Sequence, residues 1–165
     1  MDSRVVPMHA MLRLHTRLFL NCFDEVSDET ARLRPNEDTS SMAYIGLHMH
    51  DARHYLAKFV GLSESNPFEQ ITASAQTIDE IEIYPSLAEM RTAWLEVTAA
   101  LDNRFETLDV ESLSQPPPVM EYSFPFEDES LLGSIGFMLH HEAYHIGQLA
   151  LLRRIHRLPA MSLHV

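Results

Sequence analysis

Apolar residues recur at helical spacing in four long segments of this chain, and the alternation a half-buried strand needs is almost absent. Between Val5 and Phe23, Met8, Met11, Leu12, His15, Leu18 and Phe19 share one side while Arg13, Arg17 and Asn21 lie elsewhere. A second stripe of Met42, Ile45, Met49, Ala52, Leu56 and Phe59 predicts a helix that begins after Ser40 or Ser41, runs to about Val60 and stops at Gly61. A third starts at Pro85-Ser86-Leu87-Ala88-Glu89, where Ser86 and Glu89 have capping-box spacing, and continues through Met90, Trp94, Val97, Leu101 and Phe105 to about Thr107. The last is expected to start with Asp128 as its cap and to run to around Arg157, ahead of Pro159.

The connections are polar or proline-rich. Pro35 and the run Asn36 to Ser40 mark the first, which has room for a short helix over Asp28 to Leu33. Residues 61–84 have no long period, apart from a weak alternation at Ile81 and Ile83 that suggests a short extended piece. A connection of that length either covers a site or carries the chain from one end of a bundle to the other. Pro116-Pro117-Pro118 and Pro125 make residues 108–127 a connection or a small hairpin. The fold class is therefore all-α, a four-helix bundle in one domain spanning residues 1–165, with a long crossover available between its second and third helices.

Composition narrows the function. A formal net charge of −12, with no basic stripe, disfavours nucleic acid and anionic membrane surfaces as partners. No apolar run approaches the roughly 18 residues of a spanning helix, and Arg4, Arg13 and Arg17 interrupt what would be a secretion signal, so a cytoplasmic protein is expected. Cys22 is the only cysteine, which excludes an internal disulfide and Cys-rich zinc motifs. A single Cys on an apolar helix is ordinarily inert packing. Any metal site must draw on His, Asp and Glu.

His141 and His145 are four residues apart, so on a helix both imidazoles leave one face and can grip one ion. With His145 as zero, Met138 and Leu152 fall about 20° away, Leu149, Leu131 and His141 about 40°, and His140 about 140°. This places His141 and His145 in the core stripe and His140 near solvent. On the second helix, His48 lies about 70° from the stripe's centre, His50 about 130° and His54 about 170°. His48 is thus the preferred third ligand, while His50, His54, His140, His9, His156 and His164 are expected to be solvated or to stand behind the ligands. Three neutral imidazoles suit a borderline ion such as Zn²⁺ or Ni²⁺ and leave positions open for water or a substrate. The plainer alternative is that these are hydrogen-bonded core histidines.

His141-Glu142-Ala143-Tyr144-His145 also matches H-E-x-x-H, in which Glu142 would polarise a water on zinc. In a bundle Glu142 could instead orient a ligand or pair with an arginine. Gln148, one turn beyond His145, can line the site or serve as an ordinary buried amide. Gly133, Gly136 and Gly147 inside one helix imply close helix approach.

The run from His141 to Arg154, with H-x-x-x-H-x-G-Q followed by an apolar stretch and arginine, resembles the terminal signature of the DinB-like, or YfiT-like, superfamily. Ser41 to His48 and the following Asp51-Ala52 resemble that family's second helix. The resemblance implies a four-helix bundle with a long crossover and a nickel or zinc site matching His48, His141 and His145. It further implies a homodimer acting on a small-molecule substrate. Members with assigned chemistry include transferases and isomerases that use a low-molecular-weight thiol, and many others are described only as metal-dependent hydrolases. Glu142 and Gln148 would then support the ligands or orient a substrate, and a module that binds metal without catalysis is the alternative.

Overall fold

The computed structural model describes residues 2–73, 81, 83–119 and 127–162. Among them are seven helices and no strand. Four are long: α1 (Val5–Cys22), α3 (Met42–Phe59), α5 (Leu87–Thr107) and α7 (Leu131–Ile155). Three are short: α2 (Asp28–Arg32), α4 (Glu69–Ala73) and α6 (Val110–Leu113).

The starts of the long helices are set by side-chain caps. Ser41 Oγ accepts from the Tyr44 N–H at 3.1 Å, and Ser86 with Glu89 forms the full reciprocal box. For α7 the cap is Ser130 rather than Asp128: Ser130 Oγ accepts from the Gly133 N–H at 3.1 Å, while Asp128 accepts from Ser130 N–H at 3.0 Å. The same folded-back turn explains Gly133, since a Cβ there would lie 2.3 Å from the Asp128 carbonyl oxygen. Gly136 does meet a neighbouring helix, through Met8 on α1, but a Cβ at Gly147 would touch nothing. At its other end α7 stops at Ile155, with Arg157 in a left-handed turn at φ 61° and the Leu158 N–H closing onto the Arg153 carbonyl. The proline-rich connection contributes α6, capped by Asp109; the rest of the hairpin suggested over 108–127, at 120–126, lies outside the described residues, as does residue 82 of the extended piece suggested at Ile81 and Ile83.

Contacts between side chains fix the topology. His15 meets Glu142, and the Cys22 carbonyl meets Arg153, so α1 and α7 run parallel. Gly46 packs on Met90, and the Val60 carbonyl accepts from Arg104, so α3 and α5 are also parallel. His9 pairs with Asp102 and Phe19 stacks on Trp94, which sets α1 antiparallel to α5. His48 against His145 and Arg53 against Glu142 set α3 antiparallel to α7. α5 begins at the end of the bundle where α3 began, about 27 Å from the end of that 18-residue helix.

Apolar side chains fill both ends of the bundle. One cluster is built on Leu56, Leu101, Phe105, Ile135 and Leu139, the other on Phe19, Met42, Met49, Trp94 and Leu149. Between them lies a buried polar layer of His15, Thr16, Arg53, Thr98 and Glu142. The buried residues of α7 centre close to Glu142. His141 and His145 accordingly sit on the flank of the core stripe, turned toward α3, and not in its middle.

Candidate metal centre

His48 on α3 and His141 and His145 on α7 are each half-buried in the seam between these antiparallel helices. Their ligand-capable nitrogens all lie within 4.8 Å of one another. His48 Nε2 is 3.1 Å from His141 Nε2, and His145 Nε2 is 3.1 Å from the same atom. A bond of about 2.1 Å from each nitrogen to a shared ion gives this separation at an angle of about 95°, within the range of ordinary coordination geometry.

The protonation states suit the same purpose. Burial is the main cause that pushes His48 down to about 4 and His141 to about 4, and it also lowers His145, so all three rings are neutral at pH 7. His145 Nδ1 lies 2.7 Å from Gln148 Oε1, an acceptor, so the proton of His145 sits on Nδ1 and its Nε2 carries a bare lone pair. That lone pair is aimed at the nitrogen of His141. Neutral rings turned inward at this spacing make a donor set that fits a divalent cation.

Glu142 is adjacent in sequence but points elsewhere. It is 1% exposed, with Oε1 2.6 Å from Arg53 Nε, and Oε2 2.8 Å from Arg53 Nη2 and 3.2 Å from His15 Nδ1. Both oxygens are thereby committed to the polar layer, and no carboxylate among the described residues joins the three nitrogens. Arg53 also bonds Thr16 and Thr98 and lies 4.0 Å over the Trp94 ring. Sequence reasoning passed over Arg53, although it falls about 40° from Met49, inside the apolar stripe, where a charge demands a buried partner.

The other histidines divide differently from expectation. His140 is exposed, as its angle predicts. His50 and His54 are buried instead of solvated, because α2 and the segment around Phe68 cover the face of α3 that a single-stripe reading leaves open. His50 is enclosed by the rings of Phe19, Phe68 and Trp94. His54 Nδ1 donates to the His50 carbonyl at 2.8 Å. His9 is buried as well, against Asp102.

Cys22 is buried, and desolvation pushes its thiol up to about 12, which leaves it un-ionised. A cavity of about 440 Å³ opens onto His48 and His141. Its other walls include Asp51, Tyr55, Lys58, Glu69, Thr72 and Met138. That size accommodates a small organic molecule beside the three imidazoles. No helix among the described residues is long and apolar enough to cross a membrane.

Residues 11–149 match the family model of the DinB superfamily. Among solved structures, the chain is similar to YfiT from Bacillus subtilis, described as a probable metal-dependent hydrolase with an unusual four-helix bundle topology. The two share 10% identity at a TM-score of 0.64, over 96% of this chain and 91% of the other. No curated protein matches the chain.

Proposed function

Since the chain belongs to the DinB superfamily, we propose that it is a metal-dependent enzyme acting on a small molecule, with His48, His141 and His145 as the ligands of one Ni²⁺ or Zn²⁺ ion. The observation that carries this reading is the convergence of three neutral imidazole nitrogens beside a cavity of substrate size. When bound, such an ion acidifies a coordinated water or thiol and polarises a substrate oxygen.

The chain's own residues divide the remaining work. Gln148 holds the Nδ1 proton of His145 and so keeps its Nε2 free to ligate. Tyr55 and Met138 give the cavity an apolar wall. Hydrolysis by water and transfer involving a low-molecular-weight thiol are both served by this arrangement. A second copy of the chain is the proposed partner, for which the exposed Tyr144, Leu151 and Ile155 of α7 offer apolar surface.

The test is elemental analysis of the protein stripped with chelator and reconstituted with Ni²⁺ or Zn²⁺. The expected result is one ion per chain, lost in His48→Ala, followed by turnover in a panel of ester, amide and thiol-transfer substrates. No uptake, or uptake unchanged in His48→Ala, overturns the site. Stoichiometric metal with no turnover across the panel favours a metal-binding module without catalysis.

A further inference from the structure

Asp51 stands one turn after His48 on α3 and faces the same cavity. Its Oδ1 accepts from Asn66 Nδ2 at 2.5 Å and from Thr72 Oγ1 at 3.1 Å. Both contacts fall on one oxygen, and Oδ2 has no hydrogen-bond partner among the described residues. The carboxylate is thus held rigidly by one oxygen while the other is left available. A carboxylate oxygen at the wall of a half-closed cavity accepts most strongly from a charged donor.

The charge balance of the cavity points the same way. Asp51 and Glu69 contribute two carboxylates against the single ammonium of Lys58, which lies 3.9 Å from Glu69. These three side chains leave one net negative charge on the cavity wall, with Lys58 acting on both carboxylates. Burial pushes the Asp51 carboxyl up to about 6, against the lowering by Thr72 and Asn66, so it is still ionised at neutral pH while poorly solvated. An incoming cation gains more from such a group than from one fully in water.

We propose that the cavity takes a small molecule bearing a protonated amine, which Asp51 Oδ2 holds while the rest of the ligand lies against Tyr55 and Met138 and reaches toward the His48–His141–His145 site. This names the substrate class of the enzyme proposed above and rests on that reading for the reacting end only. Amine recognition itself belongs to Asp51 and is separable from the metal.

The experiment uses the full chain, metal-free, and follows backbone amides by nuclear magnetic resonance during titration with butan-1-amine or butan-1-ol at about pH 7.5, where an alkylamine is protonated as a lysine is. The expected result is saturable shifts at Asp51, Asn66 and Thr72 with the amine, and binding about tenfold weaker with the alcohol. Asp51→Asn keeps an acceptor for Asn66 and Thr72 but puts a donor in place of the free oxygen, and it should reduce the amine to the level of the alcohol. Equal binding of amine and alcohol, no saturable shift at these residues, or an amine affinity unchanged in Asp51→Asn overturns the proposal. If circular dichroism shows that the variant does not fold, the amine and alcohol comparison in the wild-type chain decides alone. Failure to take up metal would sink the enzyme reading and leave this result standing; normal metal uptake without amine discrimination would do the reverse.

Discussion

His145 and Gln148 are joined one turn apart on α7, with Nδ1 of the first 2.7 Å from Oε1 of the second. Gln148 Nε2 in turn donates to the Tyr144 hydroxyl at 3.2 Å. The pair determines which nitrogen of His145 is free. Gln148→Leu should weaken metal binding by about 10–100-fold, as loss of a residue that orients a metal-bound His generally does. The half-buried Gln148 contributes little to the core, so the metal-free melting temperature should stay nearly constant. Competition against a chromophoric chelator measures the affinity. An unchanged value would mean that packing alone orients the ring.

Arg53 and Glu142 form an ion pair with both side chains almost completely buried, at 0% and 1% exposure. Removing one partner leaves the other charged and dry, at a cost of about 3–5 kcal/mol. Glu142→Gln should therefore melt about 10 °C or more below the wild type. It should still bind one metal ion per chain, since the carboxylate faces away from the three imidazoles. Arg53→Met combined with Glu142→Leu should recover much of the loss, because no unpaired charge remains. Differential scanning calorimetry and elemental analysis on the same samples separate the two effects. Loss of the metal in a folded Glu142→Gln protein would return Glu142 to the centre of the chemistry.

Much of this arrangement was legible in the chain. The stripe from Met42 to Phe59 and the capping box at Ser86 and Glu89 located helices to within a residue or two, because local spacing and local hydrogen bonds decide them. The angle of His48 relative to that stripe put it beside His141 and His145, where the structure also brings it. Burial of α3 beyond its apolar stripe, on the faces of His50 and His54, was not legible. A stripe argument assumes one covered face, whereas α3 packs against α2 and α4 as well as against α5 and α7. His50, Arg53 and His54 were therefore assigned to the wrong surroundings or overlooked. The turn that folds Asp128 back onto Gly133 depends on tertiary closeness that no spacing rule encodes.

His50 makes the fold sensitive to acid. Its ring is fully buried among aromatic side chains, and desolvation, with His54 and Arg53 adding to it, lowers it from 6.5 to about 3. A base depressed in this way contributes stability that is present above pH 6.5 and is lost as pH falls toward the folded value. The loss from this residue should reach about 2 kcal/mol by pH 5. His50→Phe removes the titrating group while keeping a ring in the pocket. Urea unfolding across this pH range should show a visibly flatter acid limb for the variant, and identical slopes would show that other groups govern acid unfolding.

Gly133 and Gly147 occupy the same helix under opposite constraints. At Gly133 an added Cβ would lie 2.3 Å from the Asp128 carbonyl oxygen, a backbone atom that cannot swing aside. Relief requires opening the turn in which Asp128 binds Ser130 and Ser130 caps α7, so Gly133→Ala should destabilise by about 1–3 kcal/mol. At Gly147 the added Cβ meets nothing within 4 Å, and the residue is exposed inside the helix. There the substitution only removes the freedom of glycine in the unfolded chain and should stabilise by about 0.5–1 kcal/mol. Both are measured by urea unfolding of the metal-free protein, so that the nearby His145 does not enter through metal binding. A stabilised Gly133→Ala would mean that the turn before α7 does not fold back as described, and a destabilised Gly147→Ala would mean that this face of α7 is covered, as it would be by a second copy of the chain.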